Sequence, residues 1–282
     1  MAYKSILTVA TAADRLEPAL SVASRLALAE DGHLDVLALG IDATQVAYYN
    51  MGGTAVVLQM ALERAETDAQ AIEKAANALI LAQPAGLRAS VEAAVAQLGG
   101  MTGLVGLRSR FADLVVLPRP YGKGRGPEAE AVVEAALFDG QAPVLVLPDD
   151  PALSASVGNR VVVAWDQSRE ALTAVRRALP FLLRAETVNI VVVDPSAHGA
   201  ERSDPGGMLC QMLVRHGVRA EVSVIAKTLP RISDVLARHV RDLNADLLVM
   251  GAYGHSRFRE AILGGATRDL LELAETPILM AH

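Results

Sequence analysis

Short runs of Val, Leu, Ile and Ala alternate along this chain with longer stretches in which apolar residues recur every three or four positions. Runs such as Ile6-Leu7-Thr8-Val9, Leu114-Val115-Val116-Leu117 and Leu247-Leu248-Val249-Met250 are apolar or nearly so at consecutive positions, as a strand covered on both faces requires. The stretches between them carry helical stripes. Leu172, Val175, Leu179 and Leu182 form one behind Ser168, and Ile232, Val235, Leu236, Val240 and Leu243 form another behind Pro230. Strand and helix in strict alternation predict an α/β fold with a doubly wound parallel sheet.

The pattern occurs twice. Ala112-Asp113-Leu114-Val115-Val116-Leu117 returns 133 positions later as Ala245-Asp246-Leu247-Leu248-Val249-Met250, and Ala142-Pro143-Val144-Leu145-Val146 returns 134 positions later as Thr276-Pro277-Ile278-Leu279-Met280. The opening strands, Ile6 to Val9 and Val161 to Ala164, are displaced by 155, so the first half holds 22 extra residues. A lengthened second helix and loop between Ala43 and Ala85 is expected to hold them, because Leu58, Leu62, Ala65 and Ala69 keep helical spacing behind a Met51-Gly52-Gly53 turn. Pro148-Asp149-Asp150-Pro151 and the polar stretch Ser154 to Gly158 read as a linker. Two domains follow, at 1–150 and 158–282.

In the second half, strands are expected near 160–165, 187–193, 219–225, 246–250 and 277–281. Five parallel strands with right-handed crossovers admit few arrangements, among them the order 3-2-1-4-5. There the chain reverses direction between the first and fourth strands, and the crevice at their carboxyl ends is the expected ligand site. That directs attention to the residues after Trp165 and after Met250.

Composition narrows the partners. The chain is 52% hydrophobic but only 4% aromatic, and its net charge of −6 with dispersed basic residues offers no footprint for a nucleic acid. The N-terminal residues lack the apolar core of a signal peptide, and no run of 18 uncharged apolar residues points to a membrane span. A single cysteine, Cys210, allows no internal disulfide; set among Met208, Leu209 and Met212 it reads as a small buried thiol, and the cytoplasm is the expected compartment. Phosphate-loop, serine-elbow and His-Glu-x-x-His motifs are absent, and six scattered histidines have no metal-ligand spacing.

After the fourth strand of the second half the chain reads Gly251-Ala252-Tyr253-Gly254, then nine residues, then Gly264-Gly265-Ala266-Thr267 opening a helical stretch. Glycines let backbone N–H groups approach a ligand closely, and a helix start adds unpaired N–H groups and partial positive charge, which together suit phosphate. This Gly-x2-Gly-x9-Gly run resembles the ATP-binding motif of the universal stress protein family. The opening of each half, the Ala-Asp fourth strand and the Pro-led fifth strand resemble that family too, so the likeness covers nearly the whole chain. It implies two tandem Rossmann-like domains and an adenine nucleotide, ATP or AMP with or without Mg, held by the second. The family's site carries over onto Asp166 at the end of the first strand, Val192 for backbone contact to adenine, and Gly251, Gly254, Gly264, Gly265, Ala266 and Thr267 around the phosphates.

Gly265 stands where the family usually has Ser or Thr, which removes one hydroxyl worth about 0.5–1.5 kcal/mol. Arg257, Arg259, Arg268 and His255 are candidates to offset phosphate charge. In the first half Pro118, Tyr121, Glu130 and Ala131 replace Gly251, Gly254, Gly264 and Gly265, and Thr11 replaces Asp166, so no nucleotide is expected there. The resemblance implies a nucleotide-binding stress-response or signalling module with at most weak ATPase activity. The alternatives are an adenylating enzyme of the wider adenine-nucleotide α-hydrolase group and a nucleotide-free interaction protein. It also implies a fused pseudo-dimer joined across Val144 to Leu147 and Ile278 to Ala281, with a homodimer as a further possibility.

Overall fold

The computed structural model describes residues 2–42, 55–97, 99–122, 124–150, 152, 156–195, 203–252, 265–273 and 275–282. Two compact units divide the chain, Ala2–Ala142 and Pro143–His282.

The first unit contains β1 (Ser5–Ala10), α1 (Leu16–Ala29), β2 (His33–Asp42), α2 (Ala55–Leu81), β3 (Arg88–Gln97), α3 (Met101–Ser109), β4 (Leu114–Pro118) and α4 (Pro127–Glu134), which runs on into a π-helical turn, Ala135–Asp139. Its strands are parallel in the order β3-β2-β1-β4. Among the described residues the extra length falls in α2, which has 27 residues, and the expected Met51-Gly52-Gly53 turn lies outside them. Its buried stripe is Ala65, Ala69, Ile72 and Ala76, whereas Leu62 is exposed, one turn earlier than the expected core face. The cause is Gly40 on β2: a Cβ there would lie 1.9 Å from the Ala65 carbonyl oxygen, so helix and strand touch backbone to backbone and only small side chains fit between them. Gly103, in the first turn of α3, has open space around its Cβ position instead. Gly103→Ala should therefore raise stability by about 0.5 kcal/mol, read as a shifted urea midpoint.

The second unit contains β5 (Val144–Leu147), β6 (Arg160–Ala164), α5 (Arg169–Arg184), β7 (Thr187–Val193), α6 (Gly207–Arg215), β8 (Ala220–Ile225), α7 (Ile232–Asp242), β9 (Leu247–Gly251), α8 (Ala266–Leu273) and β10 (Ile278–Ala281). The five strands expected from periodicity are these, within a residue or so at each end. Strands β8-β7-β6-β9-β10 are parallel, the 3-2-1-4-5 order of a doubly wound sheet. On the outer side of β10 lies β5, antiparallel to it, with Ile278 opposite Val146 and Met280 opposite Val144. The apolar strands are core throughout, and α5 adds Ala174, Val175, Ala178, Phe181 and Leu182. Ile232, placed on the buried stripe of α7 by its spacing, is exposed at the first residue of that helix.

The repeated Ala-Asp pair has a structural task in both units. Asp113 Oδ2 accepts the Lys4 and Ser5 N–H groups at 2.8 and 3.0 Å. The Asp246 carboxylate accepts from Ser156 Oγ (2.7 Å) and from the N–H groups of Gly158 (3.2 Å), Asn159 (3.1 Å) and Arg160 (2.9 Å). Each aspartate thus fixes where the neighbouring first strand begins.

One polar group is set deep in the second sheet. Asn189 on β7 is buried, donates from Nδ2 to Glu221 Oε1 (3.1 Å) and Ser223 Oγ (2.8 Å), and accepts at Oδ1 from His239 Nε2 of α7 at 2.8 Å. The amide oxygen can only accept, so His239 carries a proton on Nε2. Burial lowers the His239 pKa below 6.5, with the Asp242 charge opposing. An unfolded chain binds that proton first, so stability is complete above about pH 6.5, falls as pH drops through it and levels off below the folded value. His239→Gln should flatten this fall, measured as urea midpoints on either side of pH 6.5. No helix among the described residues is long and apolar enough to cross a membrane.

Candidate functional site

The reversal of chain direction in the second unit lies between β6 and β9, which pair in parallel from Val161–Leu247 to Val163–Val249. Their carboxyl ends therefore open side by side, with the end of β7 flanking β6 on the other side. Beyond β6 the chain turns sharply. Trp165 is buried and donates its N–H to Val191 O at 3.0 Å, and Gln167 takes a left-handed backbone, φ 66°. Asp166 Oδ1 accepts the Ser168 N–H at 3.0 Å, and Ser168 Oγ accepts the Ala171 N–H at 3.0 Å. Ser168, not Asp166, is therefore the N-cap of α5. Asp166 is exposed, held in a fixed turn by one carboxylate oxygen, and its Oδ2 has no partner among the described residues.

Gly251 ends β9 and has a packing role. A Cβ there would stand 2.5 Å from the Ala171 nitrogen and 2.8 Å from the Glu170 carbonyl carbon, so the absence of a side chain lets the strand end lie against the first turn of α5. The next residue, Ala252, is tied by its N–H to Ala281 O (2.9 Å) and receives His282 Nδ1 on its own carbonyl at 2.9 Å.

Backbone alternation decides which residue of β7 faces the crevice. Val188 and Asp194 donate their N–H groups to β8, at Arg219 O (3.0 Å) and Ile225 O (2.9 Å), whereas Val191 O takes its proton from Trp165 beyond β6. In a parallel ladder both polar groups of one residue point the same way and the direction alternates. Val192 accordingly turns its backbone to β8, and Val193 turns its own toward the side vacated where β6 bends away.

α8 leads from the β9 side back to β10 and so starts at the carboxyl edge of the sheet. The Asp269 N–H bonds to Gly265 O at 3.1 Å, which makes Gly265 the N-cap and places Ala266, Thr267 and Arg268 in the first turn of the helix. The Thr267 side chain is buried, 3% exposed. Arg268 pairs with Glu272 one turn on, at 3.2 Å. Asp269 in the same first turn accepts from Ser233 Oγ (3.3 Å) and lies 3.7 Å from Arg231, which also forks onto Asp234 at 3.0 Å through two nitrogens. Arg231 thereby offsets a negative charge at the helix start, a contact invisible at a sequence distance of 38 residues. Gly254, Gly264, His255, Arg257 and Arg259 lie outside the described residues.

The corresponding crevice of the first unit is narrowed by its own chain. Pro127 at the start of α4 has no N–H, Glu128 folds back so that its Oε1 accepts the Gly126 N–H at 3.1 Å, and Tyr121 OH donates to Glu130 Oε1 at 2.7 Å. Arg125 Nη1 donates to Tyr121 O at 2.6 Å. Two carboxylates thus sit where a phosphate would approach. Between Thr11, Arg15, Pro118, Arg125 and Glu128 the remaining space is about 40 Å³, enough for a few water molecules.

Comparison with known proteins fits this asymmetry. Residues 158–282 match the model of the universal stress protein family. They form a universal stress protein domain. Universal stress protein Slr1230 of Synechocystis is 26% identical over 125 residues, and the match spans 43% of this chain and 41% of that relative's length. In fold, the whole chain resembles the crystal structure of a universal stress protein from Archaeoglobus fulgidus, with a TM-score of 0.69 at 16% identity over 99% of this chain and 96% of that one. A putative universal stress protein from Pseudomonas aeruginosa gives a TM-score of 0.61 at 16% identity over 99% and 93%. The universal stress protein domain is thus the unit that carries Asp166 and the Gly265 helix start at its switch point. Cys210 takes no part in it: on α6 its thiol lies 3.5 Å from Ala220 O, and burial first and the Asp204 charge second push its pKa up, away from a nucleophilic thiolate. Among the described residues no cluster of His, Cys, Asp and Glu is placed to hold a metal ion.

Proposed function

We propose that the universal stress protein domain at 158–282 binds an adenine nucleotide, ATP or AMP, and that the chain works in the cytoplasm as a nucleotide-dependent stress-response or signalling module. Asp166 accepts hydrogen bonds from the ribose hydroxyls, the Val193 backbone meets the adenine edge, and the positive end of α8, at its first turn, faces the phosphates. A magnesium ion, when present, neutralises phosphate oxygens. The protein supplies position and charge rather than a general base, so the nucleotide is held and not rapidly turned over.

The observation that supports this reading most strongly is the contrast between the two switch points. One ends in an exposed carboxylate and a helix start capped by glycine; the other carries Glu128 and Glu130, bonded to Gly126 and Tyr121, at its helix start. Calorimetric titration of the full chain with ATP and with GTP tests it: one site and preference for ATP are expected, and an absence of heat with both nucleotides defeats it. Gly265→Ser restores a hydroxyl at the N-cap and should tighten ATP binding by about threefold to tenfold, in line with one added hydrogen bond.

A further inference from the structure

In the second unit α7 and α8 lie against each other on the sheet but leave a groove of about 460 Å³ between them. The first unit closes the same layer. There α4 has 8 residues and a further 5 in its π-helical turn, and glycines bring that turn onto α3: a Cβ on Gly106 would lie 2.5 Å from the Asp139 Cβ, and one on Gly140 would lie 2.4 Å from the Ser109 Cβ. Between α7 and α8 the space stays open. The groove falls within the size range of small-molecule sites.

Its floor is apolar, built from Leu229, Val240, Leu248, Leu270 and Ile278. Most charges at its mouth are matched: Arg241 with Glu275 at 3.8 Å, and Asp234 with Arg231. Arg238 differs. It donates to the neutral Thr228 hydroxyl and has no carboxylate partner among the described residues. We propose that this groove is a binding site, separate from the nucleotide site, for a small molecule with an aliphatic body and a single carboxylate, the body on the apolar floor and the carboxylate on Arg238. A free carboxylate would complete the charge balance at the rim, and an uncharged or cationic head would not.

Decanoate is the probe, with decanol as the same chain without the charge, titrated calorimetrically into the full protein with and without saturating ATP. Decanoate should bind more tightly than decanol, and equally well in both conditions. Arg238→Gln, at an exposed position that leaves the floor intact, should weaken decanoate about tenfold and leave decanol unchanged, as expected for one charge-assisted hydrogen bond. Ala237→Trp, which fills the groove from α7, should remove both ligands, with the Arg238→Gln result standing alone if that variant fails to fold. No binding of either compound to the wild type, or decanoate binding indifferent to Arg238→Gln, overturns the proposal; displacement of decanoate by ATP overturns its separateness.

Discussion

Gly251→Ala should lower the stability of the second unit by about 3 kcal/mol, the upper part of the range for overpacked sites. The added methyl group meets the main chain of Glu170 and Ala171, at 2.8 and 2.5 Å, and not the far end of a movable side chain. Relief requires β9 and the first turn of α5 to separate. That turn is set by Ser168 and in turn fixes Asp166, so ATP affinity should fall at least tenfold, and Gly251→Val should not fold. Urea unfolding followed by Trp165, the only tryptophan, reads the effect in the right unit. A change of less than about 0.5 kcal/mol, the ordinary scatter of surface substitutions, would mean that the close approach is not a constraint.

Asp246→Ala should cost a similar amount, about 3 kcal/mol, because it removes four charge-assisted hydrogen bonds whose donors include three backbone N–H groups. Water replaces part of this, which keeps the loss well below four times the value of one such bond. Asp113→Ala removes two bonds and should cost about half as much. Asp246→Asn keeps the shape without the charge and should fall between wild type and Asp246→Ala. If all three variants unfold at the wild-type urea concentration, the repeated aspartate has no part in setting strand position.

Strands were the most legible feature, because buried parallel strands leave continuous apolar runs and helices between them leave stripes. Small-residue packing was harder to read. Leu62 matches the helical period, but its side chain cannot enter where Gly40 brings two backbones together, and the core face begins at Ala65. The Ala-Asp pair was visible as a repeat, but not its purpose, since its partners lie 86 to 90 residues away in the second unit. At the candidate site, the resemblance pointed to Asp166 and Gly251 as ligand contacts, and their local structural tasks were not legible: Asp166 accepts the Ser168 N–H beside the Ser168 cap, and Gly251 serves a helix contact. The choice between Val192 and Val193 needed the direction of each strand's hydrogen bonds. The narrowing of the first crevice involves Glu128 folding back onto Gly126 and Tyr121 reaching Glu130, contacts that substitution of the motif residues alone does not specify.

Photolabelling of the full chain with 8-azido-ATP, followed by mass spectrometry of its peptides, puts the question of which repeat holds nucleotide most directly. Label should appear on peptides containing Trp165 to Ser168 or Val191 to Asp194 and be competed away by ATP. Competable label on Thr8 to Arg15 or Pro118 to Gly126, with none in the second unit, would contradict the account.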